Sequence, residues 1–387
     1  MYRICIVTTV PTTLSSFVME WAKDMVQTGD FEIHFVCDRD DAFAASLPEE
    51  IHYHPIAMTR GISLGGFKAA WNMYRLFKKE KFDLVQYSTP NAACYASIAA
   101  RMAGIKVRLY CQWGIVYVGF QGLKRRIFKL IEKMICRNST IIEPDSFGNL
   151  HFSHAEALYT PEKSRVIWNG SASGVNLSKF NVSHKDVWSR EIRDRFGIPR
   201  NACVFVFVGR ITRDKGINEL FEASQRLLAR YTDVYLLLVG RMDRSESILP
   251  ELYDWSQNEP RVIYAGYTNE VEKYLAASDV YILPSYREGF GSAVIEAEAM
   301  GLPVIVTNIP GPTDAMKKDI TGLVVEKANV TELLDAMGTL YFSSELRSDM
   351  GHRAVDFARN GFEQKKLFEQ IHDDRLSLIE QSKKPKK

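Results

Sequence analysis

Short apolar, β-branched runs recur along this chain, and stretches long enough for a helix separate them. Five fall in the first half, at Arg3–Thr9, Glu32–Cys37, Leu84–Tyr87, Val107–Cys111 and Thr140–Ile142. Six more follow, at Cys203–Val208, Val234–Val239, Val262–Ala265, Val280–Leu283, Pro303–Val306 and Gly322–Val325. A run that is apolar on both sides of the pleat needs cover on both faces, which a parallel sheet flanked by helices provides. The alternation therefore predicts βαβ units and an α/β fold. Ser16–Gln27 and Ala92–Met102 read as two of the helices, and after Gly216 the residues Ile217, Leu220, Phe221, Leu227 and Leu228 share one stripe. A length of 387 residues asks for two domains, or at most three. The small-residue stretch Trp168–Gly174 suits a hinge, so the expected domains are 1–168 and 169–360, facing one another across a cleft.

The most informative segment is Pro284-Ser285-Tyr286-Arg287-Glu288-Gly289-Phe290-Gly291-Ser292-Ala293-Val294-Ile295-Glu296. It reads as a strand end, a glycine-bearing loop and the start of a helix. Gly289 and Gly291 carry no Cβ, so the backbone can come close to a ligand. The free N–H groups and positive dipole end of the next helix favour an anion such as a phosphate. If that helix starts near Ser292, Glu296 follows one turn later on the same face, while Glu288 stands in the loop. A second segment, Phe207-Val208-Gly209-Arg210-Ile211-Thr212-Arg213-Asp214-Lys215-Gly216, ends a strand at Gly209 and flanks the next turn with Arg210 and Lys215. Cations so placed can stabilise negative charge that grows on a leaving group.

Glu288-x7-Glu296 with its Glu-Gly-Phe-Gly core resembles the family-four retaining glycosyltransferases of the GT-B fold. The continuation Glu298-Ala299-Met300-Gly301-Leu302-Pro303-Val304-Ile305-Val306-Thr307 is similar to the same pattern. The resemblance implies two Rossmann-like parallel-sheet domains, with a terminal helix at about 361–387 that crosses back to the first. It further implies a nucleotide-sugar donor, with UDP the expected nucleotide by its frequency in the family. Glu288 would hold the donor sugar's hydroxyls and Glu296 the ribose, while Gly209, Gly289, Phe290, Gly291 and Ser292 line the phosphates through their backbone. Arg210 and Lys215 would meet the pyrophosphate, so that no metal or other cofactor is expected. The first domain would bind the acceptor.

Thr89-Pro90-Asn91 and Val107–Tyr117 resemble the branch of that family that builds capsules, O-antigens and glycans on lipid carriers. The branch carries Ala-His-Gly where this chain has Gln112-Trp113-Gly114. Trp113 cannot accept a proton, but it can stack on a sugar face and donate through its indole N–H. Alternatively it is a core residue at a strand end. Relatives also carry a Gly-Gly pair after the first strand, whereas this chain has Thr8-Thr9-Val10-Pro11-Thr12-Thr13. On this resemblance Thr12, Thr89, Trp113, Gly114 and Asn169 are assigned to the acceptor side.

Gly122–Arg137 forms a basic helix in which Ile127, Leu130, Ile131 and Met134 make an apolar stripe. Lys124, Arg125, Arg126, Lys129 and Lys133 could bring it to an anionic membrane, or it could simply pack on its own sheet. Lys383-Lys384-Pro385-Lys386-Lys387 would add to the same potential.

A net charge of +2 argues against wholesale capture of nucleic acid. The six cysteines lack a Cys-x-x-Cys spacing and read as reduced core residues of a cytoplasmic protein. His52/His54 and His151/His154 are close pairs, but no neighbouring cysteine or carboxylate set completes a metal site. The start of the chain has no signal-peptide plan and no apolar run is long enough to span a bilayer, so a cytoplasmic enzyme, peripheral on the inner membrane face, is expected. The alternatives are a non-catalytic GT-B partner subunit, or a GT-B phosphorylase or epimerase.

Overall fold

In the computed structural model, which describes residues 1–58, 64–242 and 248–384, the alternating strands pair side by side into two parallel six-stranded sheets. The chain divides into two compact units, Met1–Ser173 with Lys365–Lys387, and Gly174–Gln364. The division thus falls at Ser173, a few residues past the boundary expected from the hinge-like composition.

The first unit holds β1 (Tyr2–Val7), β2 (Phe31–Cys37), β3 (Ile51–Pro55), β4 (Leu84–Tyr87), β5 (Val107–Gln112) and β6 (Ile141–Pro144), in the order β3-β2-β1-β4-β5-β6. Alternate residues of a strand face opposite sides. Cys5 and Val7 accordingly join one core, with the helices Leu64–Glu80 and Pro90–Ala103. Ile4 and Ile6 join the other, with the helices Met19–Gln27 and Gln364–Lys383. The last of these helices inserts Leu367, Phe368, Ile371 and Ile379 into that second core. Beside them Arg375, 2% exposed, donates to both oxygens of Glu143 at 2.6 and 2.9 Å and to Gln86 Oε1 at 3.1 Å. Pro385–Lys387 of the basic tail lie outside the described residues.

Three local expectations change. β3 was not legible, because Ile51-His52-Tyr53-His54-Pro55 is an edge strand with one fully buried residue. The first strand ends at Val7, and Ser16–Gln27 becomes part of two helices, Pro11–Phe17 and Met19–Gln27. The break is at Val18, whose φ of −121° leaves the helical well. Trp21 Nε1 donates to Phe17 O at 2.8 Å there.

The second unit holds β7 (Cys203–Val208), β8 (Val234–Val239), β9 (Val262–Gly266), β10 (Val280–Leu283), β11 (Val304–Thr307) and β12 (Gly322–Val325), in the order β12-β11-β10-β7-β8-β9. β7 pairs with β10 through Val280↔Phe205 and Tyr281↔Val206. Residues 203–207 are buried on both faces, as a central parallel strand requires. Among the described residues no helix is long and apolar enough to cross a membrane.

Candidate functional site

In the second sheet the chain runs from β7 outward through β8 and β9, and from β10 outward the other way through β11 and β12. The loops that leave the carboxyl ends of β7 and β10 therefore diverge, and such a switch point is where open α/β sheets bind ligands. Both motif segments lie there: 209–216 follows β7 and 284–291 follows β10.

The two loops are locked together. Tyr286 N donates to Asp214 O at 2.9 Å. Gly216 has φ +72°, and a Cβ there would sit 2.0 Å from Pro284 O, so only glycine fits. Lys215 Nζ lies 2.6 Å from Glu288 Oε1, and Ser285 Oγ donates to the same oxygen at 2.6 Å. Both side chains of the Lys215–Glu288 pair are largely buried. Asp214 accepts from Thr212 Oγ1 at 2.6 Å and from Arg287 at 3.2 Å, with Arg210 3.9 Å away. Burial pushes the Asp214 carboxyl up, but the Thr212 hydroxyl and the charges of Arg287, Arg210 and Lys215 outweigh it and hold it below the usual range. Arg210 is exposed.

Gly291, with φ +88°, caps the helix Ser292–Ala299 and turns the first backbone N–H groups toward the loop. Gly289 is half-buried, while Phe290 turns its ring into the core, 5.3 Å from Phe362. Only the backbone of Phe290 is thus available. Glu296 stands one turn into the helix. Desolvation raises its pKa to about 7, Lys179 partly offsets this, and Glu272 adds to it. Lys179 and Glu272 themselves pair at 3.5 Å. Ser285, Asp214, Thr212 and Arg287, which hold the two motifs in register, were not singled out for this by sequence. Their partners lie up to 73 positions away. A serine two residues past a predicted strand end was the single available signal.

In the first unit the switch point lies between β1 and β4. Thr9 and Thr89 bridge it, hydroxyl to hydroxyl at 2.8 Å, with Thr9 N donating to Thr89 Oγ1 at 3.0 Å. Thr89 holds φ +62°, an uncommon conformation for a threonine. Trp113 and Gly114 follow β5 at the same edge of the sheet. The Trp113 ring is half-buried, 5.6 Å from Phe17. Its neighbour Gln112 is buried and gives Nε2–H to Glu132 Oε1 at 2.6 Å while accepting from Ser153 and Tyr159 at 3.0 and 2.9 Å. That buried network fixes the strand end from which Trp113 projects. Thr12 is exposed in the helix Pro11–Phe17, and Asn169 is exposed in a loop shortly before Ser173.

The basic segment is helical over Gly122–Asn138, but its stripe divides. Ile131 and Met134 pack inward with Phe128 and Ile135, whereas Leu123, Ile127 and Leu130 are 72%, 41% and 66% exposed. Lys129 pairs with Glu156 at 2.6 Å and Arg125 approaches it at 3.6 Å, so these two cations serve the unit's own surface. Lys124 lies 4.0 Å over the Phe120 ring. Lys124 and Arg126 are exposed and Lys133 is half-buried.

Across most of its length the chain superposes on the solved structure of HepE from Anabaena in complex with UDP-glucose. The TM-score is 0.79 at 18% identity, covering 97% of this chain and 100% of that one. Two parallel sheets of this kind, each with a switch point, are those of the GT-B fold. Residues 189–356 match the family of glycosyl transferases group 1 and residues 3–146 the glycosyl transferase 4-like family, and the chain belongs to these group 1 glycosyltransferases. It is 28% identical over 335 residues to the capsular polysaccharide biosynthesis glycosyltransferase CapM of Staphylococcus aureus, covering 85% of this chain and 86% of that protein. It is also 25% identical over 367 residues to the UDP-Gal:alpha-D-GlcNAc-diphosphoundecaprenol alpha-1,3-galactosyltransferase of Escherichia coli, covering 92% of each.

Proposed function

We propose that this glycosyltransferase moves a sugar from a UDP-sugar to a hydroxyl of a lipid-linked saccharide, with retention at the anomeric carbon and without a metal. The observation that carries the reading is the geometry of Glu288. Both of its bonds fall on Oε1, one from Lys215 and one from Ser285, which leaves Oε2 to accept from a hydroxyl of the donor sugar. Lys215 spends one of its three N–H groups on Glu288 and keeps two for the diphosphate. Glu296, one turn into the helix behind the loop, takes the ribose hydroxyls, and the N–H groups around Gly291 and Ser292 take a phosphate.

In the reaction the acceptor oxygen approaches the anomeric carbon from the face that the diphosphate leaves. The bond from that carbon to the diphosphate oxygen breaks as the new glycosidic bond forms, and the acceptor proton passes to the departing phosphate. Lys215 and Arg210 meet charge that grows only as this bond breaks, so they favour the transition state over the bound donor. No protein nucleophile enters the scheme. The acceptor binds the first unit beside Thr12, Thr89, Trp113, Gly114 and Asn169.

Leu123, Ile127 and Leu130, with Lys124, Arg126 and Lys133 around them, bring the enzyme to the anionic inner face of the cytoplasmic membrane. The names of CapM and of the undecaprenol-dependent galactosyltransferase support a lipid-linked acceptor and a capsule-type product. HepE with UDP-glucose supports the donor class.

The test is transfer of labelled sugar from a panel of UDP-, GDP-, ADP- and CMP-sugars to a polyprenyl-diphosphate saccharide, with excess chelator, and the anomeric configuration of the product read by NMR. One UDP-sugar giving a retained linkage supports the reading. Inversion, or loss of turnover with chelator, refutes the mechanism. Donor binding without turnover would favour a non-catalytic partner subunit, the reading that Trp113 in place of the branch's histidine suggests.

A further inference from the structure

Four side chains at the edge of the first sheet take no part in the reaction just described. Glu32 and His34 lie two residues apart on β2, so they share a face, and His52 on the edge strand β3 is the direct partner of His34. His34 Nε2 is 2.8 Å from Glu32 Oε1, and His52 Nε2 is 3.6 Å from the same oxygen. One ligand atom from each of the three lies within 4.8 Å of the others. The carboxylate is aimed as well, since Arg3 Nε holds its second oxygen at 3.0 Å and leaves Oε1 to the histidines. On the far side of His34, Nδ1 lies 2.9 Å from His54 Nε2, with the two rings 9° from parallel.

We propose that Glu32, His34 and His52 form a zinc(II) site that clips the edge strand β3 to β2. Two imidazole nitrogens and one carboxylate oxygen suit zinc, whereas magnesium and calcium ask for oxygen ligands throughout. Three protein ligands leave a fourth position for water, and His52 is half exposed, which gives the ion an entry path. A small movement is needed, because the His34–Glu32 hydrogen bond occupies the lone pair that the metal would use. That step balances within the protein. Without metal, His34 donates from Nε2 to Glu32 and accepts at Nδ1 from His54 Nε2–H. With metal on Nε2, the His34 proton moves to Nδ1 and is donated to His54 Nε2, while the His54 proton moves to its own Nδ1. Both rings stay neutral, and His54 becomes the outer partner that fixes the orientation of a metal-bound imidazole.

The position argues for a clip and against a part in the chemistry. Glu32 and His52 are each the second residue of a parallel strand, at the end of the sheet opposite the Thr9–Thr89 bridge. β3 has a single sheet neighbour and one fully buried side chain, so it is the strand of this sheet with most to gain from an added crosslink. The Arg3 guanidinium opposes a cation there, and Glu80, 3.4 Å from Arg3, partly cancels it.

The experiment uses the untagged full chain, stripped with chelator, titrated with Zn²⁺ by calorimetry and with Co²⁺ by visible absorption. One equivalent should bind, with the d–d bands of four-coordinate cobalt, and Zn²⁺ should raise the melting temperature. His52→Ala, at a half-exposed edge position that leaves the fold intact, should abolish stoichiometric binding and the zinc-dependent shift. His54→Phe should weaken binding about tenfold while keeping the cobalt spectrum. Absence of binding by the wild type at micromolar metal, or undiminished binding by His52→Ala, would overturn the proposal.

Discussion

Arg375 carries a guanidinium into the core of the first unit from a helix that begins at Gln364, and its removal tests how that helix is held. Arg375→Met keeps most of the side-chain volume but strips Glu143 of two charge-assisted bonds, Asp374 of one at 2.6 Å and Gln86 of another. Burial pushes the Glu143 carboxyl up and the Asp374 charge adds to this, while Arg375 is the main charge that opposes it, with a smaller part from Arg165. Breaking one partner of a buried pair costs about 3–5 kcal/mol, because the other charge stays buried without compensation. For a unit of about 200 residues each kcal/mol is worth about 2–4 °C, so the transition of this unit should fall by roughly 6–20 °C.

The sign of the pH dependence follows from the same residue. With its counterion gone, Glu143 is held above its unfolded pKa and is tolerated best when neutral. The stability that remains is therefore present at low pH and lost as pH rises, so the deficit against wild type should widen toward alkaline buffer. Arg375→Met combined with Glu143→Leu removes that pair and leaves Asp374, the third charge of the cluster, to Arg165, so it should recover much of the loss. The assay is calorimetry across a pH series on the two single variants and the double variant. A single variant within about 2 °C of wild type, or a double variant no better than Arg375→Met, would refute the reasoning.

Three further outcomes are expected. Lys215→Ala should lower kcat for transfer by about 10²–10³-fold with a smaller change in donor KM, since the ammonium is assigned to charge that develops in the transition state; an equal loss in donor affinity alone would contradict this. Glu296 has a folded pKa of about 7, raised by desolvation, so its contribution to stability is present at acid pH and fades as pH rises through about 7. Donor affinity should rise over that same interval as the carboxylate becomes an acceptor, and Glu296→Gln should flatten both profiles in denaturation and binding measurements. Gly216→Ala places a methyl 2.0 Å from Pro284 O at a positive φ, and should destabilise the second unit by more than about 1 kcal/mol and weaken donor binding in a thermal-shift assay.

Central strands were legible because burial on both faces writes itself into sequence as an unbroken apolar run, as at Cys203–Val208. The edge strand Ile51–Pro55 was not, since only Ile51 of its side chains is buried and its polar residues look like loop. The helix Leu64–Glu80 escaped for a related reason, with Phe67 and Trp71 left exposed among its apolar residues. In the candidate site, Glu288, Glu296, Arg210 and Lys215 could be named because each sits in a short local motif. That the Lys215 ammonium rests on Glu288, 73 positions on, is a product of β7 lying beside β10, and no local pattern encodes it. The same holds for the Thr9–Thr89 bridge, 80 positions apart, and for the Glu32–His34–His52 cluster. The split stripe on Gly122–Asn138 shows the limit of periodicity: it marks a helix as amphipathic without deciding which apolar residues face inward.

The second unit is an insertion between the two segments of the first. Order of synthesis then matters. When 1–173 have left the ribosome, the core around Ile4, Ile6 and Phe35 still lacks Leu367, Phe368 and Ile371, and Glu143 still lacks its two bonds from Arg375. At about 5–20 residues per second the gap lasts roughly 10–40 s, while 174–364 are made. The unit begun first is therefore the last to be finished, and its open apolar face is a natural resting place for a chaperone until the closing helix arrives.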